Sequence, residues 1–178
     1  NLYFIIKSIL KKMKKLFLIF AIGAFFATAC NQGSKTEGTE TETTTTEAPA
    51  AESNIAEVAI SGGDDMKFDL SEIVVKEGQT VKLTLTHSGV APITAMGHNF
   101  VLLAAGANLD EFAKAAIDAK DNDYIPKALE KEVIAHTKTI GGGETADIEF
   151  TAPAKGTYEF LCSFPGHSAM MKGTFIVE

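Results

Sequence analysis

The sequence predicts an all-β fold, a Greek-key β-sandwich with one short helical insert around residues 108–120. Three observations carry this. Short segments of strand character recur between residues 54 and 178. Gly and Pro turns separate them, at Gly62-Gly63, Gly78, Gly141 to Gly143 and Pro153 to Gly156. One stretch alone combines a capping signal with a helical period.

Taken in order, Ile55 to Ile60 alternates weakly. Met66 to Val75 carries Phe68, Leu70, Ile73 and Val75 and runs to a turn at Glu77-Gly78. Thr80 to His87 alternates cleanly, with Val81, Leu83 and Leu85 on one face and Lys82, Thr84 and Thr86 on the other. Asn99 to Leu103 is a short buried run, Thr145 to Phe150 alternates again, and Thr157 to Cys162 and Gly173 to Val177 close the set. Evenly spaced short strands of this kind belong to a sandwich. In the insert, Asn108-Leu109-Asp110-Glu111 reads as an N-terminal cap. Phe112, Ala113, Ala116, Ile117 and Ala119 keep a helical period to about Lys120. Pro126 is expected to end any helix beyond it, and the insert to cover one end of the sandwich. There is no internal repeat, and Gly141 to Gly143 lacks the Lys-Ser/Thr pair of a phosphate loop.

Composition divides the chain into residues 1–29, 30–53 and 54–178. The first zone reads as a signal peptide, with Lys14-Lys15 ahead of the apolar run Leu16 to Phe26, too short to span a membrane comfortably. Met13 is the expected start, with residues 1–12 read as an upstream misreading or a non-native addition. Ala27-Thr28-Ala29-Cys30 matches a bacterial lipoprotein signal, with lipidation at Cys30; the bland alternative is a plain cleaved signal. Residues 31–53, rich in Thr and Glu and nearly free of large apolar side chains, are expected to be a disordered tether. A leash of roughly two dozen residues reaches tens of ångströms. The domain of residues 54–178 is large enough for a proper core. The expected location is periplasmic or cell-surface, on a bacterial membrane.

The whole chain has 16 Lys+Arg against 23 Asp+Glu, and it contains no Arg. Cleavage before Cys30 removes five Lys and no acid, leaving a net charge of −12. Such a chain makes a poor nucleic-acid binder, so no nucleic-acid partner is expected. Of the two cysteines, Cys30 and Cys162, the second is the single cysteine of the folded domain. Their pairing as a disulfide is disfavoured because one end sits on a leash.

The chemistry-bearing stretch is Cys162-Ser163-Phe164-Pro165-Gly166-His167-Ser168-Ala169-Met170-Met171, with ligand types spaced C-x4-H-x3-M. Met96-Gly97-His98-Asn99 offers a second imidazole. Taken singly, each residue has a bland reading: a buried Cys as a small hydrophobe, a His as a satisfied polar group, a Met as gap filler. Together, one Cys, two His and a Met are the donors of a type 1 copper site, a soft set that fits copper better than magnesium or calcium. Zinc also takes Cys and His, but a lone Met argues against a structural zinc site. His167, flanked by Phe164, Pro165, Ala169 and Met170, suits the point of electron entry, with Met66, Ala91 and Met96 adding apolar surface. The alternative is that some of these side chains only pack the loop.

These two segments, with Val133-Ile134-Ala135-His136-Thr137-Lys138 and Met171-Lys172-Gly173-Thr174, resemble the azurins, which are bacterial cupredoxins. The resemblance runs from about Glu57 to Val177. It implies a cupredoxin-like sandwich holding one copper ion, with His98, Cys162 and His167 as equatorial ligands. Met171 would be a weak axial ligand and the Gly97 carbonyl an opposite one. Asn99, Ser163 and Phe164 would form the hydrogen-bonded shell around the thiolate. His87 matches a non-ligand histidine near the copper, where protonation could couple to redox state; the bland alternative, favoured here, is a packing residue, and His136 is expected on the surface. The azurin disulfide near the N-terminus of the domain is missing, and Phe100 stands where many azurins carry Trp. The implied function is one-electron transfer, not enzymatic turnover. Expected partners are redox proteins such as c-type cytochromes or a copper or haem reductase. The rival readings are a copper store or delivery protein, a redox enzyme (disfavoured because the loop holds no carboxylate), and an adhesion-type sandwich, which leaves the ligand set unexplained.

Overall fold

The computed structural model describes residues 54–178. The signal-like residues 1–29, Cys30 and the tether through residue 53 lie outside the described residues. No helix among the described residues is long and apolar enough to cross a membrane.

Eight strands form two sheets. β1 (Ile55–Gly62), β3 (Thr80–His87) and β6 (Thr145–Thr151) make a three-stranded sheet in the order β1-β3-β6. β2 (Glu72–Val75), β8 (Lys172–Val177), β7 (Gly156–Leu161), β4 (Val101–Leu103) and β5 (Val133–His136) make a five-stranded sheet in the order β2-β8-β7-β4-β5. The chain passes repeatedly from one sheet to the other, as a Greek-key sandwich requires. β1 and β2 each join an edge in parallel, to β3 and β8; the remaining pairs are antiparallel.

The main core lies between the sheets. Ile60, Val81, Leu83, Leu85, Leu102, Phe160 and Phe175 meet there with about 1% exposure or less. The alternation in β3 produces this directly, since period 2 sends Val81, Leu83 and Leu85 to one face.

The insert packs on the outer face of the five-stranded sheet and, through Ala116, against the Cys162 loop at one end of it. Leu109 and Phe112 from α2 (Leu109–Ala116) and Ile125 join Val101, Leu103 and Leu161 in a second core. α1 is the single turn Ile93–Met96 just before the His98 segment. Asn108 caps α2 as expected, its side-chain oxygen accepting from the Glu111 N–H at 3.1 Å. The helix stops at Ala116, short of Lys120, and a separate 3-10 turn covers Lys120–Asn122. Pro126 starts a turn of helix where none was expected, the 3-10 segment Lys127–Glu132. At the start of a helix the missing proline N–H costs nothing, because that position has no intrahelical acceptor.

Two strand expectations change. Of Met66 to Val75 only Glu72–Val75 is a strand. Asp69 ties the rest into a loop: its carboxylate accepts from the Ser61 N–H at 2.7 Å and the Ser61 hydroxyl at 2.9 Å, and its N–H donates to the Ser61 carbonyl. β5 was not expected as a strand. Its neighbours Val133 and Ile134 pack into different cores, so no polar-apolar alternation marks it.

Candidate metal centre

Each donor is presented by a chain segment that has little freedom to move. Cys162 follows β7 directly, and its N–H donates to the Met171 carbonyl at 2.9 Å, closing the loop at its base. His167 opens a 3-10 turn, His167–Ala169, whose carbonyl accepts from the N–H groups of Met170 and Met171. The turn is entered through Gly166 at φ 84°, a left-handed conformation that costs glycine little. Opposite, His98 pairs with Ile140 by two backbone hydrogen bonds, 2.9 and 2.8 Å.

His98 Nε2 lies 2.9 Å from the Gly63 carbonyl, which only accepts, so Nε2 carries the proton. The neutral ring then aims its Nδ1 lone pair inward. That nitrogen is 3.2 Å from His167 Nδ1 and 3.9 Å from Cys162 Sγ, and His167 Nδ1 is 3.6 Å from Sγ. A triangle with these sides has a centre about 2.1 Å from each corner. Bonds from a borderline metal ion to nitrogen and sulfur run about 2.0–2.3 Å, so the donors fit one ion without rearrangement. Among the described residues this is the one His/Cys/Asp/Glu group spaced for a metal. The Gly97 carbonyl stands 3.9 Å from Sγ. Met171 is fully buried, and its methyl occupies the space that a side chain at Gly62 would need.

Burial keeps all three donors uncharged. Burial pushes the Cys162 thiol up to about 12, against the opposing pull of the Asn99 and Phe164 N–H groups aimed at it. His167 is lowered to about 4, first by burial and then by the nearby His98 and His87, and burial lowers His98 as well. The two imidazoles are therefore neutral donors at pH 7. The thiol gives up its proton when a metal ion takes the proton's place.

Asn99 joins the two donor segments. Its Nδ2 donates to Ser163 Oγ and its Oδ1 accepts from the Ser163 N–H, both at 2.8 Å. Asn99 and Ser163 thus tie the His98 segment to the Cys162 loop. Phe164, assigned both to this shell and to a docking face, is 9% exposed and packs on His167 with ring centroids 4.7 Å apart. His167 itself is 3% exposed, so at most an edge reaches solvent. Met170 and Ala169 are exposed, while Met66, Ala91, Met96 and Pro165 are half-buried. Sequence reasoning passed over Val90, at 90% exposure, and Ile93, at 42%, which extend the apolar surface on the segment leading to Gly97. His136 is exposed; His87 is buried.

Residues 55–178 match the family of copper binding proteins described as plastocyanin/azurin. The chain belongs to this family. Its cofactor is copper, and the His98-Cys162-His167 set suits a type 1 site. The chain is 41% identical to azurin from Pseudomonas chlororaphis over 127 residues, covering 68% of this chain and 98% of that azurin. It is also 41% identical to outer membrane protein H.8 of Neisseria meningitidis serogroup B over 118 residues, or 64% of this chain; the match spans 63% of that protein's length. Among solved structures, auracyanin A from Chloroflexus aurantiacus, described as a "blue" copper protein, is 32% identical with a TM-score of 0.63, covering 70% of this chain and 99% of its own. The two-sheet cupredoxin fold is therefore shared.

Proposed function

We propose that this chain carries single electrons outside the cytoplasm through a type 1 copper site. Copper held there would supply a Cu(II)/Cu(I) couple for one-electron exchange with redox partners. The chain's own residues do the rest. His98 and His167 would hold the metal through neutral nitrogens and Cys162 through a thiolate, with Met171 and the Gly97 carbonyl as weak further donors. The single observation that carries this reading is the donor triangle, with the His98 ring fixed by the Gly63 carbonyl and the Cys162 loop closed by backbone hydrogen bonds. A set that need not move when the charge changes loses little energy to reorganisation. Burial of all three donors leaves no open position for a substrate, which favours an electron carrier over an enzyme. The same burial disfavours a copper store, where a chelator must reach the metal.

Partners are redox proteins such as c-type cytochromes or a copper or haem reductase. They meet the edge of His167 through the apolar surface of Met170, Ala169, Pro165, Ala91, Met96 and Met66. A small apolar patch suits brief, low-area contacts. Likeness to an outer membrane protein supports an exported chain, held to a bacterial membrane by lipid at Cys30 and a tether over residues 30–53. Stopped-flow reduction of the copper-loaded chain tests the electron-transfer step. A one-electron bleaching of a blue band is expected, and slower transfer when Met170→Glu places a charge on the patch. Equal rates for parent and variant would remove the docking assignment.

A further inference from the structure

Asp123 and Tyr124 are consecutive residues with left-handed backbones, at φ 50° and 59°. Neither is glycine, and a bulky residue rarely adopts this conformation. Such strain persists only where the surroundings over-determine it. Here the turn is held from behind. The Tyr124 N–H donates to the Ala119 carbonyl at 3.0 Å, the Ile125 N–H to the Asn122 carbonyl at 2.8 Å, and the Asn122 side chain to the Ile125 carbonyl at 2.8 Å. The strained pair therefore points forward from a fixed base on the insert.

What it points at is the metal centre. The Asp123 carbonyl accepts from Asn99 Nδ2 at 2.7 Å, the same amide that donates to Ser163 Oγ. Asp123 Oδ1 accepts from the Thr139 N–H at 2.8 Å, and Thr139 adjoins Ile140, the backbone partner of His98. Asp123 thus braces the His98 side directly, through Asn99 and Thr139, and reaches the Cys162 loop through the Asn99–Ser163 pair. The Tyr124 ring meets Phe164 edge to face, centroids 5.0 Å apart, and Phe164 in turn packs on the His167 ring. The Phe164 N–H is also one of the two donors aimed at the Cys162 sulfur.

We propose that Asp123 and Tyr124 are positioning residues for the metal centre, through which the helical insert sets the hydrogen bonding of the Cys162 thiolate and the orientation of His167. Neither is itself one of the donors. Asp123 acts through Asn99 and Thr139, Tyr124 through Phe164. The insert is then part of the redox centre and not simply a cover for the outer face of the sheet. This rests on the copper reading above.

The test uses the full chain loaded with Cu(II), in parent form and as Asp123→Ala, Asp123→Asn, Tyr124→Ala and Tyr124→Phe. Asparagine keeps the side-chain acceptor and tolerates the left-handed backbone, and phenylalanine keeps the ring edge. The readouts are the thiolate-to-copper absorption band, the copper hyperfine splitting in electron paramagnetic resonance, and the midpoint potential. Both alanine variants are expected to bind copper with a shifted band, an altered splitting and a shifted potential, and both conservative variants to restore parent values. Alanine variants with parent spectra and potentials would overturn the proposal while leaving the copper site intact. A parent chain without the band would overturn the copper reading and this proposal together. If an alanine variant does not fold, Tyr124→Leu, which fills the space without a ring edge, is read by the same criteria.

Discussion

The imidazoles of His87 and His98 are stacked, with centroids 4.2 Å apart and planes 19° from parallel. His87 is fixed independently of its neighbour. Its Nε2–H donates to the Met96 carbonyl at 2.7 Å, and its Nδ1 accepts from the Gly89 N–H at 3.1 Å. Both nitrogens are used, so His87 serves as a wall for the His98 ring and not as a further donor. His87→Phe keeps the wall but leaves the Met96 carbonyl and the Gly89 N–H without partners. The apo chain should lose about 2 kcal/mol in urea unfolding, and the copper-loaded variant should keep its charge-transfer band.

Asn99→Leu should change the band as well as the stability. Leucine fills the volume but strips partners from the Ser163 N–H, the Ser163 hydroxyl and the Asp123 carbonyl. A loss of about 2–4 kcal/mol in apo stability is expected, because several polar groups in a dry site lose their bonds together. The absorption band should also shift, since the two donor segments are no longer tied.

The pH dependence of the apo chain follows from His167 and Cys162. An unfolded histidine takes a proton near pH 6.5, whereas His167 in the fold stays neutral until about pH 4. Folding excludes a proton in that window, so stability should fall as the pH drops from about 6.5 to about 4. The lowering of His98 acts in the same sense. Cys162 acts the other way. An unfolded thiol ionises near 9 and the buried one near 12, so stability should also fall as the pH rises through that interval. Thermal melts of the apo chain at stepped pH give both limbs.

Copper uptake should release protons in step. At pH 7 both imidazoles are already neutral, so close to one proton per copper should appear, from Cys162. Titration calorimetry in two buffers of different ionisation heat counts it.

Met171→Leu tests whether Met171 is a weak copper donor. Leucine suits the buried space beside Gly62, so the fold should be retained. A weak axial donor contributes little to the thiolate band but does tune the potential. The variant should stay blue with a higher midpoint potential in voltammetry, because losing a donor disfavours Cu(II) more than Cu(I).

Local pattern made part of this molecule legible in the sequence. The spacing of Cys162, His167 and Met171 brings them into one short loop, and the alternation of Thr80 to His87 assigns its buried face. What escaped depends on long-range contacts. β4 reads as an unbroken apolar run because Val101 and Leu103 face the insert while Leu102 faces the main core. β5 is hidden for the same reason. The left-handed Asp123-Tyr124 pair carries no glycine to announce it, and its purpose appears only when Asn99 and Phe164 are seen beside it. The burial of Phe164 was likewise masked, since an aromatic residue in a loop reads equally well as surface or as packing.

A visible absorption spectrum of the copper-loaded full chain, followed through a redox titration, bears on all of this at once. An intense thiolate-to-copper band that bleaches and returns with a single reversible electron, and is abolished in Cys162→Ser, is the expected result. A colourless copper complex that gives its metal readily to a chelator and shows no reversible wave would contradict electron transfer and indicate a copper store.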